Sequence, residues 1–344
     1  MRVAAVDCGT NSIRLLIADI RQVDPGGRQP EAAASQPGQS ERIPGDSGPD
    51  KPSPLTDLTR QMRIVRLGEG VDRTGRLSAA ALDRTMTALR EYAGLIAEAR
   101  PAAVRMVATS ATRDAANSDE FTDRVVDILG VAPEVITGDE EAWLSFTGAT
   151  RELAGTPLAT ECPPPYLVTD IGGGSTEFVL GRSDETQADP QLQGRSVNIG
   201  CVRLTERHLH GDPPTQAQIA NTVLDIDEAL DQAAAVPVAK ARSLVGLAGS
   251  VTTVAAIALG LGGYDSARIH HARISAARVH EIAGELLAMT RAQRAAIPSM
   301  HPGRVDVIGA GALILDRIMT RFGFPEVLVS EHDILDGIAW SLVA

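Results

Sequence analysis

Lysine is nearly absent. Only Lys51 and Lys240 stand among 32 basic side chains, so arginine supplies the other 30. Codon usage is the plainer explanation of this bias, although the guanidinium fork also suits bidentate phosphate binding. Basic charge as a whole is in deficit, with 32 Lys and Arg against 44 Asp and Glu for a net charge of -12. That balance excludes the footprint of a general nucleic-acid binder, and any anionic ligand has to be met at a local site. Cysteine is scarce too. Cys8, Cys162 and Cys201 are odd in number and lack C-x-x-C spacing, so neither a disulfide framework nor a zinc site is indicated, and a reducing cytoplasm fits. Long apolar runs are missing. Asp7 interrupts the stretch where a signal peptide would need its apolar core. Ser243 to Tyr264 is uncharged over 22 residues, but nine of them are Gly, Ser or Thr, which suits strand, glycine turn and helix better than a membrane span.

The chain has 344 residues, 44% of them apolar, more than one core usually organises, and this suggests two domains. Gln22 to Pro54 contains seven Pro, five Gly and four Ser, with Val23 and Ile43 its only large aliphatics. It reads as a disordered surface insertion in place of a short hairpin turn. Elsewhere strand and helix signals alternate. Val3 to Val6, Ile13 to Ile20 and Met62 to Leu67 predict strands, and a helix from Ser78 carries Leu82, Met86, Leu89, Ala93 and Ile96 at helical spacing. Val104 to Ala108 predicts the next strand. A helix capped by Ser118 follows, with Phe121, Val125 and Leu129 and a stop at Gly130.

This order recurs. VAAVDCGTNSIRLLI (3–17) aligns with YLVTDIGGGSTEFVL (166–180), matching Asp7 to Asp170, Gly9 to Gly172 and Ser12 to Ser175. RIVRLG (63–68) resembles RSVNIG (195–200), and VATSAT (107–112) resembles LAGSVT (247–252). A doubled βββαβαβα unit gives two α/β domains around a cleft, with ligands at the carboxyl ends of the strands.

Both Asp7-Cys-Gly9-Thr10-Asn11-Ser12 and Asp170-Ile-Gly172-Gly173-Gly174-Ser175-Thr176 place an aspartate at a strand end before a small-residue turn. Such turns expose backbone N–H groups and admit a phosphate, while each aspartate suits a hard divalent cation; an ordinary tight hairpin is the plainer alternative. Gly249 and Ser250 form a third such turn, where a helix start adds donors or is simply capped. Thr137 and Glu140 have capping-box spacing, which would occupy Glu140 with backbone and leave Glu141 for proton transfer. Arg113 follows a strand end, suited either to clamping an anion or to pairing with Asp114 or a neighbour. His208 with His210, and His270 with His271, lack a third ligand at a persuasive spacing and are read as non-metal.

These motifs, with RLGEGVDRTGRLS (66–78), ITGDEEAWLSF (136–146), GCVRLTE (200–206) and SEHDILDGIA (330–339), resemble the exopolyphosphatase/guanosine pentaphosphate phosphatase family of the actin, hexokinase and Hsp70 superfamily. The resemblance implies two duplicated actin-like (ribonuclease H-like) α/β domains, 1–138 and 139–327, with 328–344 returning to the first. It implies Mg²⁺-dependent hydrolysis of a terminal phosphate from inorganic polyphosphate or guanosine pentaphosphate, in the cytoplasm. Glu141 matches the general base, Arg113 an arginine near the substrate phosphates, Asp170 and Glu177 metal- and phosphate-handling residues, and Asp7 the first-loop acid. Cys8 and Asp139 depart from the family's usual residues without touching a reacting group. The extra C-terminal helical domains of longer relatives do not follow Ala344, so short polyphosphate is expected to be favoured. A homodimer is expected on base rates, with no nucleic-acid or membrane partner. The alternatives are a kinase of the same superfamily and a non-catalytic nucleotide or polyphosphate sensor.

Overall fold

The computed structural model describes residues 1–21, 54–153, 156–183 and 193–343. Its first half opens with the antiparallel meander β1 (Arg2–Cys8), β2 (Ser12–Ile20) and β3 (Leu55–Ile64). There follow α1 (Val71–Thr74), α2 (Ala79–Ala99), β4 (Ala103–Ala108), α3 (Ser110–Arg113), α4 (Ser118–Leu129) and β5 (Glu134–Val135). β4 returns parallel to β1 and β5 parallel to β4, giving the order β3-β2-β1-β4-β5. Two helices, α5 (Gly138–Thr150) and α6 (Leu158–Glu161), lead into the second half.

There β6 (Tyr166–Ile171), β7 (Thr176–Gly181) and β8 (Gln193–Val197) form the meander, followed by α7 (Cys201–His208), α8 (Gln216–Ala233), β9 (Ser243–Leu247) and α9 (Ala248–Ala258). The chain continues through α10 (Ser266–Ile269), β10 (Arg273–Ser275), α11 (Ala276–Ala288), α12 (Arg291–Ala295), α13 (Ile308–Phe322), β11 (Glu326–Val329) and α14 (Ile334–Ser341). The second sheet runs β10-β11-β9-β6-β7-β8. Without the antiparallel edge strand β10, its order and strand directions are those of the first sheet, so the three sequence matches mark one unit used twice. No described helix is long and apolar enough to cross a membrane.

Local chemistry accounts for most boundaries. The central strands β1 and β6 are buried along nearly their whole length, as continuous apolar runs between helical layers require. Ser78 caps α2 by accepting the Ala81 amide, and the buried face of α2 carries Leu82, Met86 and Leu89. Between them and Ile96, Tyr92 is buried and donates its hydroxyl to Ile13 O at 3.0 Å. Two expectations are corrected. β3 runs Leu55–Ile64 rather than Met62 to Leu67, and it ends there because the amides of Val65 and Arg66 turn away to bond Asn11 O. Asn117, not Ser118, is the N-cap of α4, and its side-chain oxygen accepts the Leu77 amide rather than a helix amide.

α5 and α14 lie between the sheets. Ala142, Phe146 and Ala149 of α5 pack with Tyr166, Val168 and Val179 of the second sheet. Its Leu144 joins Ile334, Ile338 and Trp340 of α14 against Val3, Ala5 and Leu16 of the first. The two helices touch backbone to backbone: a Cβ on Gly148 would fall 1.8 Å from Asp333 O, and one on Gly337 2.0 Å from Leu144 O.

Residues 22–53 of the predicted insertion lie outside the described residues. Its two ends are hydrogen-bonded partners: Ile20 pairs with Leu55, and the Arg21 amide donates to Pro54 O at 2.9 Å. Replacing 22–53 by a short turn is therefore expected to leave the Tm within a few degrees and phosphate release within about twofold, because joining paired ends lowers closure entropy. Insoluble protein, or activity lost from a folded deletion, would show that the segment packs on the body or the cleft.

Candidate active site

Equivalent hairpins of the two halves meet in a cleft. Each turn closes in the same way, with Gly9 donating its amide to Ser12 O (2.9 Å) and Gly172 donating to Ser175 O (3.1 Å). The turns also touch one another. A Cβ on Gly174 would lie 2.7 Å from both Thr10 Oγ1 and Ser110 Oγ, which themselves share a 2.9 Å hydrogen bond. The opposite loop thus requires glycine at this position. The third turn starts α9 directly after β9, with Ala248 in the left-handed region (φ 66°) and no side-chain cap on the first helical turn. Holding a residue with a Cβ there costs ~1–3 kcal/mol, a strain typical of ligand-binding loops.

One cavity of about 100 Å³ gathers Gly9, Thr10, Asn11, Ser12, Gly172, Gly173, Ser175, Gly249 and Ser250, with Asp7, Glu141 and Asp170 also in its wall. The side-chain oxygen of Asn11 is buried without a hydrogen-bond partner. Four of the sequence-derived site residues do not line this cavity. Gly174 faces a smaller recess beside Arg203, and Thr176 is buried with its hydroxyl donated to Ile199 O (2.8 Å). Glu177 is 1% exposed and accepts from Ser196 Oγ at 2.7 Å. Arg113 points to Glu141: its Nη1 donates to Glu141 Oε2 (3.1 Å) and Ile136 O (2.9 Å). The alternative partner, Asp114, is taken by Arg203 at 2.6 Å.

α5 sets the acidic side of the cleft. Thr137 accepts the Glu140 amide, but the Glu140 carboxylate pairs with Arg105 (2.7 Å) instead of returning to the cap, so half of the expected capping box forms. Glu141 is left facing the cavity. Burial pushes its pKa up to about 7 against the pull of Arg113, with Asp170 adding to the rise. One helical turn on, Ser145 donates to Asp170 Oδ2 at 2.6 Å. Burial, with the Asp333 charge, still raises Asp170 to about 6. Glu177 is driven well above the usual carboxylate range by burial and by Glu141 and Asp170.

Three functional candidates were not visible as such in the sequence. Arg14, opposite Asp7 in the β1–β2 register, donates to Asp7 Oδ2 at 2.7 and 2.9 Å and also pairs with Asp333. Asp333 in turn caps α14 by accepting the Leu335 amide (3.0 Å). Burial raises Asp7 despite Arg14, whereas at Asp333 burial is outweighed by Arg14 and the Leu335 amide. Arg304 lies over Gly249, bonds Thr253 Oγ1 (3.0 Å), and pairs with no carboxylate among the described residues. It lines both this cavity and an adjoining chamber of about 440 Å³ that holds Tyr264, Met62 and Met300. At the rim, Arg66–Asp306 (2.7 Å) and Arg203–Asp72 (2.5 Å) bridge the two halves.

Paired hairpin loops between duplicated sheets define the two-domain actin-like class of α/β proteins. Within it, the Ppx/GppA phosphatase family matches residues 47–344, and the chain belongs to that family. It is 46% identical to Exopolyphosphatase 2 of Mycobacterium tuberculosis over 99% of this chain and 98% of that one. A solved exopolyphosphatase-like protein superposes with a TM-score of 0.84 at 41% identity, covering 99% of this chain and 98% of that one. The guanosine-5'-triphosphate,3'-diphosphate pyrophosphatase of Aeromonas salmonicida is 26% identical over 99% of this chain and 59% of its own length.

Proposed function

We propose that this protein is an exopolyphosphatase that hydrolyses the terminal phosphoric anhydride of inorganic polyphosphate with Mg²⁺, as a cytoplasmic homodimer. The observation that carries this reading is the convergence on one cavity of two small-residue loops and three carboxylates, Asp7, Asp170 and Glu141, the last supported by Arg113. In the proposed reaction the terminal phosphate is cradled by the amides of Thr10 and Asn11 and of Gly173 and Ser175, with Gly249 and Ser250 alongside. Glu141 orients a water and takes its proton as the water oxygen bonds to phosphorus and the bridging oxygen leaves with the rest of the chain. Arg113 is a positioning residue, since it holds Oε2 of Glu141 and leaves Oε1 for the water.

The donor set suits a hard cation. Asp7 and Asp170 would hold Mg²⁺, whereas Glu177 is buried outside the cavity lining. The carboxylates that burial and mutual repulsion have raised mark a deficit of positive charge, and the unpartnered Asn11 oxygen is a further oxygen donor. When bound, Mg²⁺ neutralises charge on the transferred phosphoryl group.

The acidic exterior favours short chains, because phosphates beyond the cleft meet net repulsion. The adjoining chamber favours a second reading, guanosine pentaphosphate, since Tyr264 and two methionines beside Arg304 can take a nucleoside. A panel of short polyphosphate, long polyphosphate, guanosine pentaphosphate and ATP at fixed Mg²⁺ tests both. We expect kcat/KM to be highest for short polyphosphate, with distributive cleavage of long chains. Processive degradation of long chains, or a tenfold preference for guanosine pentaphosphate, would overturn this, and binding without phosphate release would make the protein a sensor. Arg304→Ala is expected to lower kcat/KM by roughly 10- to 100-fold, mostly through KM, as loss of a charge-assisted phosphate contact. An unchanged KM would remove Arg304 from the site.

A further inference from the structure

His270, His271 and His332 stand together outside the lining of the cleft, in segments that no sequence spacing joins. His332 precedes α14, His270 ends α10, and Glu152 follows α5. One ligand atom from each of Glu152, His270 and His332 lies within 4.8 Å of the others. His332 Nδ1 is 3.1 Å from Glu152 Oε2. The edge of a tetrahedron built on zinc–ligand bonds is about 3.3 Å, so this pair already has the separation of two ligands on one ion. The His270 ring is 4.6 Å from that of His332 and stacks on His271 at 3.6 Å. His271 holds the stack from the left-handed region (φ 64°), which few residues with a Cβ adopt, and its amide donates to Val329 O at 2.7 Å.

We propose that Glu152, His270 and His332 form a binding site for a borderline-soft divalent cation such as Zn²⁺, separate from the Mg²⁺ carboxylates. None of the three lines the catalytic cavity or the adjoining chamber. Two imidazoles with one carboxylate select d-block ions over Mg²⁺, and the half-buried setting leaves positions open to water. His270 is ready to bind, because burial and its two histidine neighbours keep the ring neutral. The His332 proton now lies against Glu152, and the ion would replace it. His270 Nδ1 accepts the Glu331 amide (3.1 Å), so coordination breaks that bond or turns the ring. Binding is thus coupled to a local rearrangement. The ion would tie the ends of α5 and α14, both packed on the first sheet, to the α10–β10 turn of the second half.

The test uses tag-free, chelator-treated full-length protein in excess Mg²⁺, which keeps the cleft carboxylates occupied. Titration with Co²⁺ is expected to give one ion per chain with strong visible bands of four- or five-coordinate cobalt, displaced by Zn²⁺, and Zn²⁺ should raise the Tm. Glu152→Gln and His270→Gln should each weaken Co²⁺ binding by roughly tenfold or more while the metal-free proteins keep the wild-type circular dichroism. Glu152→Gln alone decides the matter should His270→Gln fail to fold. No saturation of the wild type by about 1 mM Co²⁺, weak octahedral bands alone, sulfur-to-cobalt absorption from a cysteine, or undiminished binding by Glu152→Gln would overturn the proposal.

Discussion

Glu141→Gln is expected to lower kcat by about two to four decades while leaving KM within a few fold, the signature of a lost general base. The amide keeps the shape of the side chain, and its oxygen can still accept from Arg113, now at 3.1 Å from Oε2. It cannot take a proton from water. Because burial raises the Glu141 pKa to about 7, the wild-type kcat/KM should fall about tenfold per pH unit below that point, and this limb should vanish in the variant. Stability should move in the opposite direction. A carboxyl whose folded pKa exceeds its ordinary 4.5 binds more protons when folded, so its ionisation destabilises the native state as pH rises from about 4.5 through 7. Removing that charge should leave the metal-free variant at least as stable as wild type at pH 8, by thermal melts. A variant that keeps more than about a tenth of kcat would deny Glu141 its role.

Gly337→Ala is expected to destabilise the protein by ~3 kcal/mol, seen as a Tm lower by roughly 5–10 °C. Its new methyl carbon would sit 2.0 Å from Leu144 O and 2.7 Å from the same carbonyl carbon, atoms that cannot swing aside as a side-chain end would. The α5–α14 crossing must therefore open, which strips Ile338 and Trp340 from the core they share with Leu16. That movement also shifts Asp333, and with it the Arg14–Asp7 chain of charges, so the surviving folded fraction should lose activity. Gly284→Ala is the control. Gly284 lies inside α11 with open space at its Cβ, and alanine there should raise stability by ~0.5–1 kcal/mol. Equal effects from the two substitutions would mean that helix propensity, not the crossing, governs both.

Much of the framework was legible because it is written in short-range chemistry. The aspartate, turn and strand of each hairpin, the Ser78 cap and the amphipathic face of α2 are set within a few residues. Arg14 was within reach of the same reasoning, since a turn at Gly9 to Asn11 places it opposite Asp7. Its second partner was not, because Asp333 lies 319 residues away. The role of Arg113 was open for a related reason. The sequence offered it Asp114 as a neighbour, but Arg203 arrives from the other half and takes Asp114, leaving Arg113 to Glu141.

By itself the sequence determined that one α/β unit occurs twice and that each copy carries an aspartate and a small-residue turn. Alternating apolar periods, small-residue turns and helix starts act over the next few residues, and the chain cannot hide them. The tertiary structure alone decided which charges neutralise one another, how deeply Glu141 and Asp170 are buried, and that three histidines from remote segments meet beside Glu152. Side-chain electrostatics depends on distance and on exclusion of water. Both are set by how sheets and crossing helices pack, through contacts such as that of Gly148 with Asp333, rather than by the order of residues along the chain.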